Sequence, residues 1–214
     1  LKSIDGTEIN GSGPDIGREK TGQLMQKLEA LDEGDVLVLA GSIPSTMPND
    51  IYMQIMKRLA GKKVTVVVDA TKDLLVNVLK YHPFLIKPNN HELGEIFNVA
   101  LDTRESVVPY AKKLQEMGAR NVLVSMAGEG AVLAAENGTV YESPAPKGIL
   151  VNGVGAGDSM VAGFLAGWLE NQSYKQAFYM GVAAGSASAF SENLATKEEV
   201  RRVYDQVVNA QYNV

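Results

Sequence analysis

Residues 152–160 of the chain read NGVGAGDSM. Gly153, Gly155 and Gly157 alternate with other residues, Asp158 and Ser159 follow at once, and a small-residue apolar run, MVAGFLAGWL, comes next. A glycine loop that opens a helix presents unpaired backbone N–H groups, here those of Gly155, Ala156 and Gly157, and the helix dipole favours an anion there. A carboxylate beside that loop would repel a resting anion. It becomes useful if the anion is a phosphoryl group in transit, because it can then take the proton of the attacking hydroxyl. Aspartate is equally at home as a helix cap, so the spacing alone leaves Asp158 open between base and cap.

Such a loop needs a scaffold, and the rest of the chain reads as one. Four runs are continuously apolar: DVLVLA at 35–40, VTVVVD at 64–69, FLIKP at 84–88 and NVLVSM at 121–126. Helical spacing of apolar residues occupies 18–31, 51–59, 74–80 and 106–117 between and around them. Buried strands alternating with helices predict a parallel sheet covered on both faces, an α/β fold. AVLAA, Asn137-Gly138 and TVYES then predict a hairpin. Helices are expected at 159–169, 175–190 and 197–209, with two GxxxG spacings, Gly163 to Gly167 and Gly181 to Gly185, that suit close helix packing. No linker or repeat divides the chain, so residues 1–214 read as one domain.

Ligands of open parallel sheets bind beyond the carboxyl ends of the strands. Those ends are Gly41-Ser42-Ile43-Pro44, Asp69, the stretch from Lys87 through Asn89 to Glu92, and the stretch from Ser125 through Ala127, Gly128 and Gly130. Each alone is an ordinary polar turn, and Asp69 reads as readily as a turn residue as a member of a site. Their convergence with the glycine loop is the stronger signal.

Composition narrows the chemistry further. Hydrophobic residues make up 45% and charged residues 21%, a globular balance. The net charge of −5 argues against a nucleic-acid partner. With no cysteine and two histidines, thiol catalysis, disulfides and a transition-metal centre are excluded. No apolar run reaches the roughly 18 residues of a membrane span, so no membrane partner is expected. The P-loop pattern GxxxxGK[ST] is missing, and the late, two-glycine GxG does not fit a dinucleotide fingerprint.

Together GSIP, KPNNHEL, SMAGEGA and NGVGAGDSMVAGF resemble, in order, the motifs of the PfkB, or ribokinase-like, carbohydrate kinases. The resemblance covers essentially the whole chain. It implies a three-layer α/β/α core with a mostly parallel sheet and a small β lid. Asp158 matches the family's catalytic base, and Gly155, Ala156 and Gly157 its anion hole. Lys87 matches a nucleotide-phosphate contact, and Asn89 and Glu92 a pair that organises Mg²⁺ and the triphosphate of ATP through water. Ser125, Ala127, Gly128 and Gly130 match the ATP turn, with Ala127 standing where glycine is common. Ser42 matches a contact to the sugar's phosphate. Within the family, DGTEINGSGP and KPNNHELGEIF look most like bacterial 1-phosphofructokinases, which phosphorylate fructose 1-phosphate on its 6-hydroxyl, with tagatose-6-phosphate kinases next. An inactive nucleotide-binding fragment is the reading from another class. A cytoplasmic enzyme, paired as a homodimer through its lid strands, is implied as well.

Residues 1–10, with Asp5-Gly6 as a turn, read as one hairpin of that lid. Family members are longer than this chain, and the early strands, most of the lid and the basic residues that grip the sugar phosphate are expected upstream of Leu1.

Overall fold

The computed structural model of the chain describes residues 13–210, so the expected lid hairpin at 1–10 lies outside the described residues. In chain order the elements are α1 (Arg18–Glu29), β1 (Val36–Ala40), α2 (Ile51–Leu59), β2 (Thr65–Asp69), α3 (Lys72–Val76), β3 (Leu85–Ile86), α4 (Asn90–Phe97), α5 (Arg104–Glu116), β4 (Asn121–Ser125), β5 (Ala131–Ala134), β6 (Val140–Ser143), α6 (Ala156–Asn171), α7 (Tyr174–Ala189) and α8 (Lys197–Ala210). Short 3₁₀ turns occupy Leu79–Tyr81 and Ala127–Glu129.

The six strands form one sheet in sequence order, β1 to β6. The pairs β1–β2, β2–β3 and β3–β4 are parallel, and β4–β5 and β5–β6 are antiparallel. Parallel neighbours taken in order have a topological consequence. Crossovers of the favoured hand must all pass over the same face, so a separate set of helices has to cover the other. The core shows this division. Val66, Val68, Ile86, Val122 and Val124 point into a cluster with Met25, Leu28, Ile55, Leu93 and Leu114 from α1, α2, α4 and α5. Their alternates Val67, Leu85 and Leu123 point into a second cluster with Phe164, Phe178 and Val207 from α6, α7 and α8. Val67, Val68, Leu85 and Ile86 are all fully buried, which is why these strands read as unbroken apolar runs. The α/β/α layering expected from the sequence is therefore present.

α6 and α7 approach closely because glycines on each helix sit against main chain and side chains of the other. A β-carbon on Gly163 would lie 2.5 Å from the Met180 carbonyl and 2.6 Å from the Ala184 side chain, and one on Gly167 would lie 2.9 Å from the Ala177 α-carbon. Gly181 and Gly185 pack in the same way on Met160 and Ala156. The space is closed by Phe164 and Phe178, both fully buried; truncating such a residue to alanine costs about 3–5 kcal/mol.

Three segments differ from expectation. The helix expected at 74–80 is split into α3 and the 3₁₀ turn Leu79–Tyr81, where His82 takes a left-handed conformation with φ 55° and hydrogen-bonds the Gly118 carbonyl. The third strand pairs only over Leu85–Ile86. The stretch after it is the helix α4, where only a polar strand end was expected. At the first edge of the sheet, Val38 is 42% exposed although it sits in the middle of β1. Its face belongs to the α6–α8 side, and those helices do not reach it.

Candidate active site

The four parallel strands point their carboxyl ends the same way, so the residues that follow them share one edge of the sheet. β3 leads directly into Lys87, which is 7% exposed, and β2 ends in Asp69. Lys87 Nζ lies 3.3 Å from Asp69 Oδ1. The same ammonium is 3.2 Å from the point where a β-carbon on Gly157 would sit. The strand-end lysine thus reaches under the first turn of α6.

The loop ahead of α6 is held by several independent contacts. Gly155 is the N-cap with φ 78°, a left-handed conformation that costs other residues roughly 1–2 kcal/mol. Asn152 accepts the Val154 N–H on its side-chain oxygen and donates its amide to the Glu192 carbonyl. The Val151 and Asn152 N–H groups donate to the Ala189 carbonyl. Ser188, buried at the end of α7, donates to Ser159 Oγ at 2.8 Å and accepts the Ala195 N–H. The Ala156 N–H makes a long bond of 3.3 Å to Gly153 O. Among the described residues, the N–H groups of Gly155 and Gly157 make none, so two donors face outward at a helix start.

Asp158 occupies the third position of α6 and is exposed. It makes no capping hydrogen bond; Gly155 is the N-cap. Asp158 is thus not the N-cap of α6 but an acidic side chain of its first turn, where the helix dipole favours negative charge.

Asn89 and Glu92 form a reciprocal capping box for α4. The Glu92 N–H donates to Asn89 Oδ1 and the Asn89 N–H donates to Glu92 Oε2, both at 2.8 Å. The box starts a helix immediately after β3 and turns Glu92 back toward the sheet edge. Asn89 also bridges Ser125, whose N–H donates to the Pro88 carbonyl at 3.2 Å. The motif and the turn after β4 are therefore one connected surface. That turn is tight: Ala127 has φ 47°, and Gly130 has φ 94° with its α-carbon so close to β6 that a β-carbon would lie 2.0 Å from the Ser143 carbonyl. Ala127 and Gly128 are exposed at its tip.

Charge is unevenly distributed over this edge. The Asp69 carboxyl is held above its ordinary value chiefly by burial; Lys87 opposes this, and the negative charges of Asp158 and Glu92 add to it. Three carboxylates thus influence one another with one buried ammonium among them, an arrangement that favours an added cation. Among the described residues no three His, Asp or Glu side chains converge tightly enough to hold a metal ion directly.

Ser42 stands apart. It is exposed two residues beyond β1, and no contact joins it to Asp158. The loop that carries it is nonetheless tied to the cluster. The Gly41 N–H donates to the Asp69 backbone carbonyl, and Tyr52 OH, on α2, lies 2.9 Å from the Ala40 carbonyl and 3.2 Å from that of Gly41. The Tyr52 phenol is pushed up by burial and by Asp69, so tyrosine and aspartate are neighbours across the β1 and β2 ends. Asp69 and Tyr52 are the site-edge residues that the sequence reading underrated. Asp69 had a usable signal, a carboxylate closing an apolar strand beside another strand that ends in lysine. Tyr52 had none, being one apolar position of an amphipathic helix.

Residues 2–201 match the pfkB family of carbohydrate kinases. A 1-phosphofructokinase of Bacillus subtilis (strain 168) is 49% identical over 207 residues, which are 97% of this chain and 68% of that protein. A D-tagatose-1-phosphate kinase of Bacillus licheniformis is 32% identical over 202 residues, 94% of this chain and 66% of its own length. The crystal structure of a candidate phosphofructokinase from Staphylococcus aureus is 40% identical with a TM-score of 0.87, covering 94% of this chain and 65% of that one. The chain spans about two thirds of the length of these relatives.

Proposed function

Because the chain belongs to the pfkB family of carbohydrate kinases, with its ribokinase-like fold, we propose that it carries the phosphoryl-transfer machinery of a 1-phosphofructokinase. The reaction is transfer of the γ-phosphoryl of ATP to the 6-hydroxyl of fructose 1-phosphate, giving fructose 1,6-bisphosphate and ADP. The observation that carries the reading is Asp158 itself, a carboxylate without a capping bond at the mouth of a glycine loop that has free N–H donors.

In this reading Asp158 takes the proton of the 6-hydroxyl as its oxygen forms a bond to the γ-phosphorus and the bond to the β-phosphate oxygen breaks. The N–H groups of Gly155 and Gly157 meet the charge on the transferred group, with Ala156 as the third member of the hole once its long internal bond is given up. Lys87, kept oriented by Asp69, lies beneath the same point and neutralises phosphate charge. Mg²⁺, when bound, draws negative charge off the triphosphate, and Asn89 and Glu92 are the residues that would hold it through water. Ser125, Ala127, Gly128 and Gly130 contact the nucleotide, and Ser42 the phosphate of the sugar. Such an enzyme works in the cytoplasm, where ATP is supplied.

A second reading, a tagatose phosphate kinase, is favoured by the 32% identical relative named D-tagatose-1-phosphate kinase. Tagatose 1-phosphate differs from fructose 1-phosphate only in configuration at C4, so both present the same phosphate and the same accepting hydroxyl to Ser42 and Asp158. Discrimination must come from groups that hydrogen-bond the ring hydroxyls, where a mismatch leaves a polar group unpaired. Coupled-assay kinetics of the whole kinase on fructose 1-phosphate, tagatose 1-phosphate, tagatose 6-phosphate and fructose 6-phosphate test the choice. The expected result is a kcat/KM for fructose 1-phosphate at least about tenfold above the others, roughly 1.4 kcal/mol in transition-state binding. A preference for either tagatose phosphate would transfer the assignment while leaving the roles of Asp158 and the glycine loop intact.

A further inference from the structure

Arg104 is the first residue of α5, held there within the Thr103–Ser106 capping box. From that position it reaches 25 residues along the chain. Its Nη1 donates to the Glu129 carbonyl at 2.6 Å, at the end of the 3₁₀ turn between β4 and β5. Its Nε lies 3.7 Å from Glu142 Oε2 on β6 and is buried with no hydrogen-bond acceptor. One guanidinium therefore joins a helix start, a turn and an edge strand.

The turn has reason to need such a brace. Ala127 holds a left-handed φ of 47°, a conformation that persists only where the surroundings impose it. Inside the turn the Glu129 N–H donates to Met126 O, the Gly130 N–H to Ala127 O and the Met126 N–H to Gly130 O. Those bonds use the inward-facing groups. The Glu129 carbonyl faces outward to Arg104, and among the described residues the N–H groups of Ala127 and Gly128 donate to nothing. Fixing the 129–130 peptide from outside holds the two free donors on the exposed tip. A planar fork anchored at a second point does this better than a flexible amine.

We infer that Arg104 is a positioning residue for nucleotide binding: it sets the conformation of the Ala127–Glu129 turn so that the Ala127 and Gly128 N–H groups are presented to a nucleotide. The inference rests on the proposed reading of that turn as an ATP contact. It does not require Arg104 to touch the ligand.

The test is calorimetric titration of the chain with magnesium ATP, alongside thermal melts. The variants are Arg104→Met, the milder Arg104→Gln, Arg104→Lys, and Arg120→Met as a control. Arg120 forms a comparable surface ion pair with Glu136 and is remote from the turn's hydrogen bonds. We expect Arg104→Met to raise the Kd for ATP at least about fivefold, Arg104→Gln to raise it less, and Arg104→Lys to recover part of the loss. Arg120→Met should lower the melting temperature by a similar amount and leave the Kd within twofold of the parent. If Arg104→Met does not fold, Arg104→Gln decides. A Kd unchanged in the folded Arg104 variants, or raised equally by Arg120→Met, overturns the inference. A parent chain that binds no ATP overturns the nucleotide reading of the turn, and this inference with it.

Discussion

Lys87 Nζ and Gly157 are in near contact: a β-carbon on the glycine would come within 3.2 Å of the ammonium and 3.5 Å of the adjoining carbon. The side chain that fills this space is buried and already committed to Asp69. In Gly157→Ala the lysine end must therefore shift by a few tenths of an ångström. Alanine is the better helix former, by up to about 1 kcal/mol, so the two effects nearly cancel in stability. The expected outcome is a chemical-denaturation midpoint close to the parent's and a kcat at least about fivefold lower, the latter because a small misplacement of a charge at the transferred group is costly. Unchanged turnover would show that Lys87 does not work at that point.

Replacing Asp158 by asparagine removes the proton acceptor and keeps the shape. Since Gly155 caps α6 and Asp158 makes no capping bond, the fold should barely register the change. In the whole kinase kcat is expected to fall by at least about 10²-fold, with the KM for ATP within roughly threefold. Near-normal turnover by the variant would refute the base.

Asp69 yields a prediction with a defined pH sign. Burial raises its carboxyl above the ordinary value of 3.8, despite Lys87. Its contribution to stability is therefore full below 3.8 and is lost as pH rises through the raised value. Asparagine mimics the protonated form and can still accept the Lys87 hydrogen bond. Asp69→Asn should therefore lack the parent's decline in stability as pH rises above 3.8, while the buried Lys87 ammonium left without its counter-charge lowers stability at every pH, and kcat falls at least about tenfold. Urea midpoints between pH 4 and 8 check it; a variant that keeps the parent's decline over that range would refute the sign.

The centre of the sheet was legible in the sequence because β2, β3 and β4 are buried on both faces. Val66 to Val68 and Leu85 to Ile86 leave no polar interruption to misread. The glycine loop and Asn89 with Glu92 were legible because each combines a backbone requirement with a charged side chain. α4 is less legible, because Asn-x-x-Glu suits ligand groups at a strand end as well as the capping box that starts this helix. The pairing of Asp69 with Lys87 was not legible, because it depends on the register of β2 against β3, where Val67 meets Leu85 and Val68 meets Ile86. The tether from Arg104 to Glu129 joins segments 25 residues apart and has no local signature.

The glycine contacts between α6 and α7 bear on motion. With Gly163, Gly167, Gly181 and Gly185 each backed by atoms of the opposite helix, sliding or rolling α6 by even a fraction of a turn would drive main chain into main chain. Packed interfaces of this kind have discrete seats and do not slide smoothly. Asp158 rides on the first turn of α6, and the Ser159–Ser188 hydrogen bond pins that turn to α7. With Asp158 as the base proposed above, the proton acceptor would be the stationary jaw in any closing over a sugar, and the travel would fall to whatever part of the molecule delivers the hydroxyl.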